Sequence, residues 1–199
     1  MYIEIRAYGI RLNILAIVGL VFVFLLNGVA SSLVMLLAAI LHELGHILAA
    51  NAVGAPIVRF DIEPWGGRMY YGGMTSYKQE LLIASGGVAF NFLFAPIGLI
   101  PLFGIYGKLF FFSCVCYALV NLIPAKTLDG GEMLRCLLCM QKGSIGAESA
   151  ERAVYLLSLI FMLALGATLC LITGFNLSVV FLCLFSLVIT VLDYAKKPA

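Results

Sequence analysis

Long apolar runs separated by short polar segments dominate the chain. A membrane-spanning helix needs about 20 predominantly apolar residues. Between Leu12 and Val58 the one formally charged residue is Glu43, and this stretch is too long for a single crossing. Asn27-Gly28 supplies a turn that divides it into two helices. The apolar pattern as a whole predicts six helices, over residues 12–26, 33–53, 81–103, 109–123, 153–173 and 176–192.

The polar segment between the second and third helices has a different periodicity. Residues 58–63 alternate apolar and polar positions, which is typical of a half-buried strand. Gly66-Gly67 breaks the pattern, and residues 68–71 can return as a second strand. Residues 3–6 alternate in the same way and could join this pair. We therefore predict an all-α membrane protein of one domain, residues 1–199, with a small β-hairpin or sheet between helices 2 and 3.

The composition agrees with a chain that is solvated by lipid. Its residues are 63% hydrophobic and 11% charged, and the mean hydropathy is +1.11. A soluble domain is about 45–50% apolar and about 25% charged. The net charge is only +2, and no run of basic residues forms a patch that could release counterions from phosphate. The lipid bilayer is therefore an expected partner and nucleic acid is not.

The basic residues predict the orientation of the chain in the membrane. With six crossings both termini share one side, and of the 12 Lys and Arg residues all but Lys108 fall on that side. The positive-inside rule makes this side, with both termini, cytoplasmic. The first apolar run could instead be a signal peptide cleaved near Gly28-Val29-Ala30. A retained first helix is favoured because the apolar stretch continues long past that point.

The second predicted helix carries the sequence His42-Glu43-Leu44-Gly45-His46, an H-E-x-x-H motif. Residues four apart lie on one face of a helix, so both imidazoles can reach one metal ion. Zinc accepts such ligands in tetrahedral geometry with an open position, and Glu43 can take a proton from a water at the metal. The alternative is a polar cluster held by hydrogen bonds alone. Ionisable groups at membrane depth favour the functional interpretation.

A catalytic zinc site needs a third protein ligand, and the chain contains only two histidines. Of the ten acidic residues, Asp129 is best placed, because Pro124 and the glycines after Asp129 would unwind the chain where a ligand must be aimed. Asp129 could equally cap the helix that follows, and spacing alone does not separate the two roles. The charges of Glu43 and Asp129 would balance those of Zn²⁺, which favours the ligand.

Three further polar or sulfur-bearing residues have open roles. Asn91, in the third predicted helix, could line the site or hydrogen-bond a neighbouring helix, and the second use is the commoner one. Cys136 and Cys139 form a C-x-x-C pair without a second pair or a free histidine. Two cysteines on the apolar face of a short helix explain this pair better than a metal site does.

The H-E-x-x-H motif and the segment N-L-I-P-A-K-T-L-D-G-G at residues 121–131 together resemble the site-2 protease family of intramembrane metalloproteases. The sequence P-W-G-G at residues 64–67 is similar to that family's P-F-G-G turn. The small size resembles the bacterial stage IV sporulation protein FB type, in which six membrane helices are expected and a sigma factor is released from its membrane-bound precursor. Thr127 and Val88 stand where relatives often have proline, which weakens assignment to that type. Neither the PDZ nor the CBS domain of other members is expected in residues 1–199.

The resemblance implies a zinc metalloendopeptidase that cuts a membrane-associated protein in or near the bilayer of a bacterial cytoplasmic membrane, on its cytoplasmic side. One Zn²⁺ would be held by His42, His46 and Asp129, with Glu43 as general base. The resemblance also places Asn121 near the scissile carbonyl. An inhibitory membrane protein is a further expected partner.

A helical substrate must unwind before cleavage, and we expect the strand at residues 58–63 to bind it as an added strand through Val58, Phe60 and Ile62. The competing functions are a zinc-binding membrane protein without protease activity, such as a metal carrier, and a scaffold for partner helices. Glu43 argues for the protease, because a carrier would not need it.

Overall fold

The computed structural model describes residues 2–5, 9–63, 66–125 and 128–172, in two compact units, Met1–Leu122 and Ile123–Ala199. The elements of the first unit are, in chain order, β1 (Tyr2–Ile5), β2 (Ile10–Asn13), α1 (Ile14–Asn27), α2 (Val29–Ala52), β3 (Ile57–Glu63), β4 (Gly66–Tyr71), α3 (Tyr77–Phe94), two 3₁₀ helices (Ala95–Leu99 and Pro101–Phe103) and α4 (Gly104–Asn121). The second unit contains α5 (Asp129–Ile172).

The four strands form one sheet in the order β1-β2-β3-β4. β1 pairs antiparallel with β2, β2 parallel with β3, and β3 antiparallel with β4. The strands predicted at residues 58–63 and 68–71 are confirmed, and the alternating residues 3–6 overlap β1. β2 was not predicted. It occupies the residues where the first helix was expected to begin, and α1 starts at Ile14 instead, with the side chain of Asn13 accepting the Leu15 N–H at 2.9 Å.

The turn predicted at Asn27-Gly28 separates α1 from α2. Gly28 has φ 73° and ψ 165°, in the region that favours glycine, and its N–H bonds the Phe24 carbonyl at 3.1 Å. α2 begins directly afterwards at Val29, four residues before its predicted start at residue 33. The helix pair is therefore joined by one residue.

α3 begins earlier than predicted because of a capping box. The Ser76 side chain accepts the Gln79 N–H, and the Gln79 side chain accepts the Ser76 N–H, so two donors at the helix start are satisfied. The α-helix ends at Phe94, and Pro96 and Pro101 lie in the 3₁₀ helices that follow. The predicted third helix at residues 81–103 is thus an α-helix followed by tighter turns, and α4 begins at Gly104 rather than at residue 109.

Small residues bring the helices of the first unit together. A Cβ atom built on Gly45 of α2 would overlap the carbonyl oxygen of Gly86 in α3, and one built on Gly86 would lie 2.6 Å from the carbonyl oxygen of Gly45. The two helices therefore cross with backbone against backbone, as small residues allow in membranes. Buried alanines and a cysteine fill the adjoining interior: Ala38, Ala50, Ala84, Cys114 and Ala118.

Large apolar side chains of the same helices face outward. Leu25, Leu93 and Ile105 are 77%, 68% and 72% exposed. Among the described residues, three helical segments are long and apolar enough to cross a bilayer: Val29–Ala52, Tyr77–Leu99 and Pro101–Asn121. α1 has 14 residues, or about 21 Å of helix, against a hydrocarbon core of about 30 Å. The described part of the chain thus shows an integral membrane protein with a small sheet, and the count of six crossings remains a prediction.

The second unit is dominated by α5, which consists of two helices that meet at a kink at Gly143 (φ 72°, ψ 170°). The segment 141–152 was predicted as a polar connection, but apart from Gly143 it is helical. Near the start of α5, Arg135 forms an ion pair with Glu132 one turn earlier. The fifth predicted helix, at residues 153–173, falls within α5 as far as Ile172, and the sixth, at residues 176–192, lies outside the described residues.

Candidate metal centre

His42 and His46 lie on one buried face of α2, as the four-residue spacing predicts. Their exposed fractions are 3% and 8%. The two Nε2 atoms are 3.2 Å apart, and the rings meet edge to face with centroids separated by 4.7 Å. Two imidazole nitrogens thus point at the same place inside an apolar helix bundle.

The nitrogen separation fits a shared metal ion. Zinc–nitrogen bonds are about 2.0–2.1 Å long, and two ligands at the tetrahedral angle are then about 3.3 Å apart. The observed 3.2 Å between the Nε2 atoms agrees with this value. Nitrogen lone pairs turned toward each other are costly unless a proton or a cation lies between them. The donor set is therefore suited to a bound cation.

A backbone carbonyl orients His46. Its Nδ1 atom lies 2.8 Å from the carbonyl oxygen of Ile83 in α3. A carbonyl oxygen can only accept, so Nδ1 carries the proton and donates it. The lone pair of the neutral ring is then on Nε2, the atom that faces His42. Ligand histidines commonly bond a carbonyl or carboxylate through the other ring nitrogen in this way.

His42 is enclosed by side chains of two helices. The Nδ2 atom of Asn91, in α3, lies 3.5 Å from His42 Nδ1, and the ring of Tyr117, in α4, packs at 5.1 Å between centroids. Asn91 is fully buried. This contact fits both roles that the sequence left open for Asn91, because it places the amide at the histidines and also joins α3 to α2.

Glycines of α3 make room for the imidazoles. A Cβ atom at Gly87 would overlap His46 Nε2 and would lie 2.7 Å from His42 Cε1. Gly86, one residue earlier, lies at the helix crossing with Gly45. The sequence analysis did not assign a role to this Gly-Gly pair. Its signal was present, because two adjacent glycines inside an apolar helix lower helix propensity without an evident local reason.

Glu43 contacts the small sheet through its carboxylate. Its Oε1 atom accepts the backbone N–H of Gly67, the second residue of β4, at 2.9 Å. The side chain is half-buried. The glycines of the P-W-G-G sequence therefore lie beside the predicted base, while Pro64 and Trp65 lie outside the described residues. Sequence reasoning recognised this turn by resemblance but not its contact.

Two neighbouring strands flank the predicted substrate strand, β3. β3 lies inside the sheet: Phe60, Asp61 and Ile62 pair with β2 on one side, and the same residues pair with β4 on the other. An added strand needs an unpaired edge, so Phe60 and Ile62 cannot accept one in this sheet. Val58 is 59% exposed and lies outside the β2 pairing. The roles of Val58, Phe60 and Ile62 in binding substrate stay predictions.

Asn121 and Asp129 lie at the ends of two helices. Asn121 is the last residue of α4, and its side chain donates to the Tyr117 carbonyl at 3.0 Å, one turn back. A role near the scissile carbonyl stays a prediction. Asp129, in the second unit, is the first residue of α5 and is half-buried. The predicted break in the chain after Pro124 is present, since α4 ends at Asn121 and α5 starts at Asp129.

Both cysteines of the C-x-x-C pair are buried on α5, with Cys136 at 0% and Cys139 at 9% exposure. The Sγ atom of Cys136 lies 3.8 Å from Oε1 of Glu132 and 4.0 Å from a guanidinium nitrogen of Arg135, so its side of α5 is not purely apolar.

Comparisons with known proteins bear on this geometry. The model of peptidase family M50 matches residues 104–165, which contain the 121–131 segment but not the H-E-x-x-H motif. The solved structure of a site-2 protease from Methanocaldococcus jannaschii has a similar fold: its TM-score is 0.67 at 21% sequence identity, with 100% of this chain and 96% of that one covered. Comparison with curated protein sequences finds no match. The resemblance to the M50 site-2 proteases, first drawn from the motifs, is therefore confirmed, while the sporulation FB type is not tested.

Proposed function

We propose that this chain is an intramembrane zinc metalloprotease that hydrolyses a peptide bond of a membrane-associated protein in or near the bilayer. One observation carries the proposal. Two histidine nitrogens 3.2 Å apart lie buried in α2, a helix long and apolar enough to cross a membrane, with Glu43 between them in sequence. The match to the M50 family model and the fold shared with a site-2 protease support it.

The proposed metal ligands are His42 Nε2, His46 Nε2 and a carboxylate oxygen of Asp129. His46 is already in the tautomer that a metal requires, because its Nδ1 is bonded to the Ile83 carbonyl. Asp129 is proposed because it begins α5 directly after the break at Pro124 and falls within the segment that the M50 model matches. When bound, zinc supplies a Lewis acid that lowers the pKa of water and polarises a carbonyl group.

Glu43 is proposed to move the proton. Its carboxylate would accept the proton of the attacking water and then deliver it to the nitrogen of the leaving amine. The N–H of Gly67 holds one carboxylate oxygen in place. A fixed carboxylate needs less reorganisation during the proton transfer than one that rotates freely. The sheet thus serves to position the base.

We propose the cytoplasmic side as the side of substrate entry. The segment between α2 and α3 holds Arg59 and Arg68, and Lys78 lies in the first turn of α3. The positive-inside rule predicts that both termini share the side of these cations. The resemblance to the sporulation FB type favours a membrane-bound sigma-factor precursor as the substrate and an inhibitory membrane protein as a regulator. Co-expression with such a precursor, followed by detection of the released factor, tests this substrate.

The reaction itself is tested with a panel of single-helix membrane proteins reconstituted into liposomes together with the protease. Mass spectrometry of new N-termini then identifies each cleaved peptide bond and its position along the membrane helix. Zinc-loaded wild type is expected to produce new termini, and Glu43→Gln is expected to produce none while still binding zinc. Glu148→Gln, an exposed carboxylate on α5, is the matched control and should cleave normally. Cleavage that survives in Glu43→Gln would overturn the mechanism.

A further inference from the structure

Asn91 is a buried amide whose contacts are incomplete. It lies in α3 at 0% exposure, and its Nδ2 atom is 3.5 Å from His42 Nδ1, at the long limit of a hydrogen bond. Its Oδ1 atom is buried without a hydrogen-bond partner in the described part of the chain. A buried carbonyl oxygen without a donor destabilises the fold, because the oxygen has lost its hydrogen bonds to water. This arrangement leaves the acceptor of Asn91 unused beside an imidazole nitrogen.

The orientation of the amide determines which nitrogen of His42 can bind a metal. If Asn91 Nδ2 donates to His42 Nδ1, the proton of the neutral ring must lie on Nε2, and Nε2 then has no lone pair for a cation. If the amide is rotated by half a turn, Oδ1 takes the place of Nδ2 and accepts a proton from Nδ1. The lone pair of His42 is then on Nε2, the atom that faces His46.

After this rotation, Nδ1 of His42 and Nδ1 of His46 both donate to an oxygen atom of α3. His46 donates its Nδ1–H to the carbonyl oxygen of Ile83. The rotated amide gives His42 the same kind of partner, an oxygen acceptor on the same helix α3. It also gives the unpartnered Oδ1 of Asn91 a donor. Both results follow from one rotation that needs no movement of the backbone.

We infer that Asn91 is a positioning residue for the metal site, with its Oδ1 atom accepting the Nδ1–H of His42 and so directing the Nε2 lone pair to the metal. This inference rests on the proposed zinc site. It differs from a role in joining helices, because it requires an acceptor at one atom of Asn91. Loss of the hydrogen-bond acceptor that orients a metal-binding histidine typically weakens metal affinity about 10–100-fold.

Three variants separate the two roles. Asn91→Leu keeps the number of side-chain heavy atoms and removes the acceptor, whereas Asn91→Asp keeps an acceptor and loses the donor. Ser32→Ala is the control, because Ser32 is 1% exposed and its hydroxyl bonds the Val23 carbonyl, away from the histidines. Zinc affinity is measured by competition with a chelator in detergent, and the thermal midpoint of the metal-free protein is measured in parallel.

Asn91→Leu is expected to bind zinc about 10–100-fold more weakly than wild type, with a metal-free midpoint no lower than that of Ser32→Ala. Asn91→Asp is expected to retain wild-type affinity. If Asn91→Leu does not accumulate, Asn91→Ser replaces it, since serine is too short to reach His42. Unchanged zinc affinity in the leucine or serine variant, or an equal loss in Asn91→Asp, would overturn the inference. Absence of zinc binding in wild type would instead contradict the proposed function, and the inference with it.

Discussion

The backbone N–H of Gly67 donates a 2.9 Å hydrogen bond to Oε1 of Glu43. This bond joins β4 of the small sheet to the acidic residue of the H-E-x-x-H motif, 24 residues earlier in the chain. A Cβ atom at Gly67 would lie 2.5 Å from both Glu43 Oε2 and the Phe60 ring. The close approach of the sheet to the base therefore depends on glycine.

Gly67→Ala is expected to lower the turnover of the protease while leaving its zinc content unchanged. The added methyl group must displace Glu43 or Phe60 from its position, and neither is a proposed ligand of the metal. A misplacement of about 1 Å at a reacting group can cost about 100-fold in rate. Cleavage rate and bound zinc are measured on the same preparation.

Gly19→Ala provides the control for this substitution. Gly19 lies in α1, and a Cβ atom there meets nothing within 4 Å. Alanine in place of glycine in a helix is neutral or stabilising. Normal turnover in Gly67→Ala would show that the hydrogen bond to Glu43 has no part in catalysis.

Gly87→Ala is expected to abolish zinc binding. Its methyl group would occupy space held by the imidazoles of His42 and His46, so the two Nε2 atoms could not keep their 3.2 Å separation. Zinc is measured by elemental analysis after repletion and removal of excess metal. Stoichiometric zinc in Gly87→Ala would contradict the described packing of the histidines against α3.

Gly86→Ala is expected to lower the thermal stability of the protein more than its zinc content. A methyl group there would lie 2.6 Å from the Gly45 carbonyl oxygen and 2.8 Å from the Ala49 Cβ atom, so α2 and α3 must move apart. Overpacking of this kind costs about 1–3 kcal/mol. The thermal midpoint in detergent should fall below those of wild type and Gly19→Ala. An unchanged midpoint would show that the helix crossing is looser than described.

The sequence was sufficient to predict the elements that have strong periodicity. The spacing of His42 and His46 placed both rings on one helix face, and the alternation at residues 58–63 predicted β3. These features are local, since each depends on residues within two helical turns or one strand. The resemblance to the site-2 proteases rested on two short motifs and is supported by the family model.

Pairings between distant segments could not be predicted in the same way. β2 consists of Ile10–Asn13, which run directly into an apolar helix, and its partner β3 begins more than 40 residues later. The parallel pairing of β2 with β3 therefore has no local signal. It encloses β3 between two strands, so this sheet has no free edge at Phe60 and Ile62.

Two signals in the sequence were available but not used. The spacing of Ser76 and Gln79 is that of a capping box and would have moved the start of α3 to Tyr77. The pair Gly86-Gly87 marks the place where α3 meets both α2 and the histidines. The role of Asn91 could not be settled from sequence, because a polar residue in a membrane helix fits either a site or a helix contact.

The most direct test of the account is the zinc content of the purified protein, compared among wild type, Glu43→Gln and Asp129→Ala, with the exposed Glu148→Gln as control. We predict one zinc ion per chain in wild type, Glu43→Gln and Glu148→Gln, and strong loss in Asp129→Ala, because the first three keep all the proposed ligands. Full zinc content in Asp129→Ala would contradict the proposed ligand set, and no zinc in wild type after repletion would contradict a zinc protease.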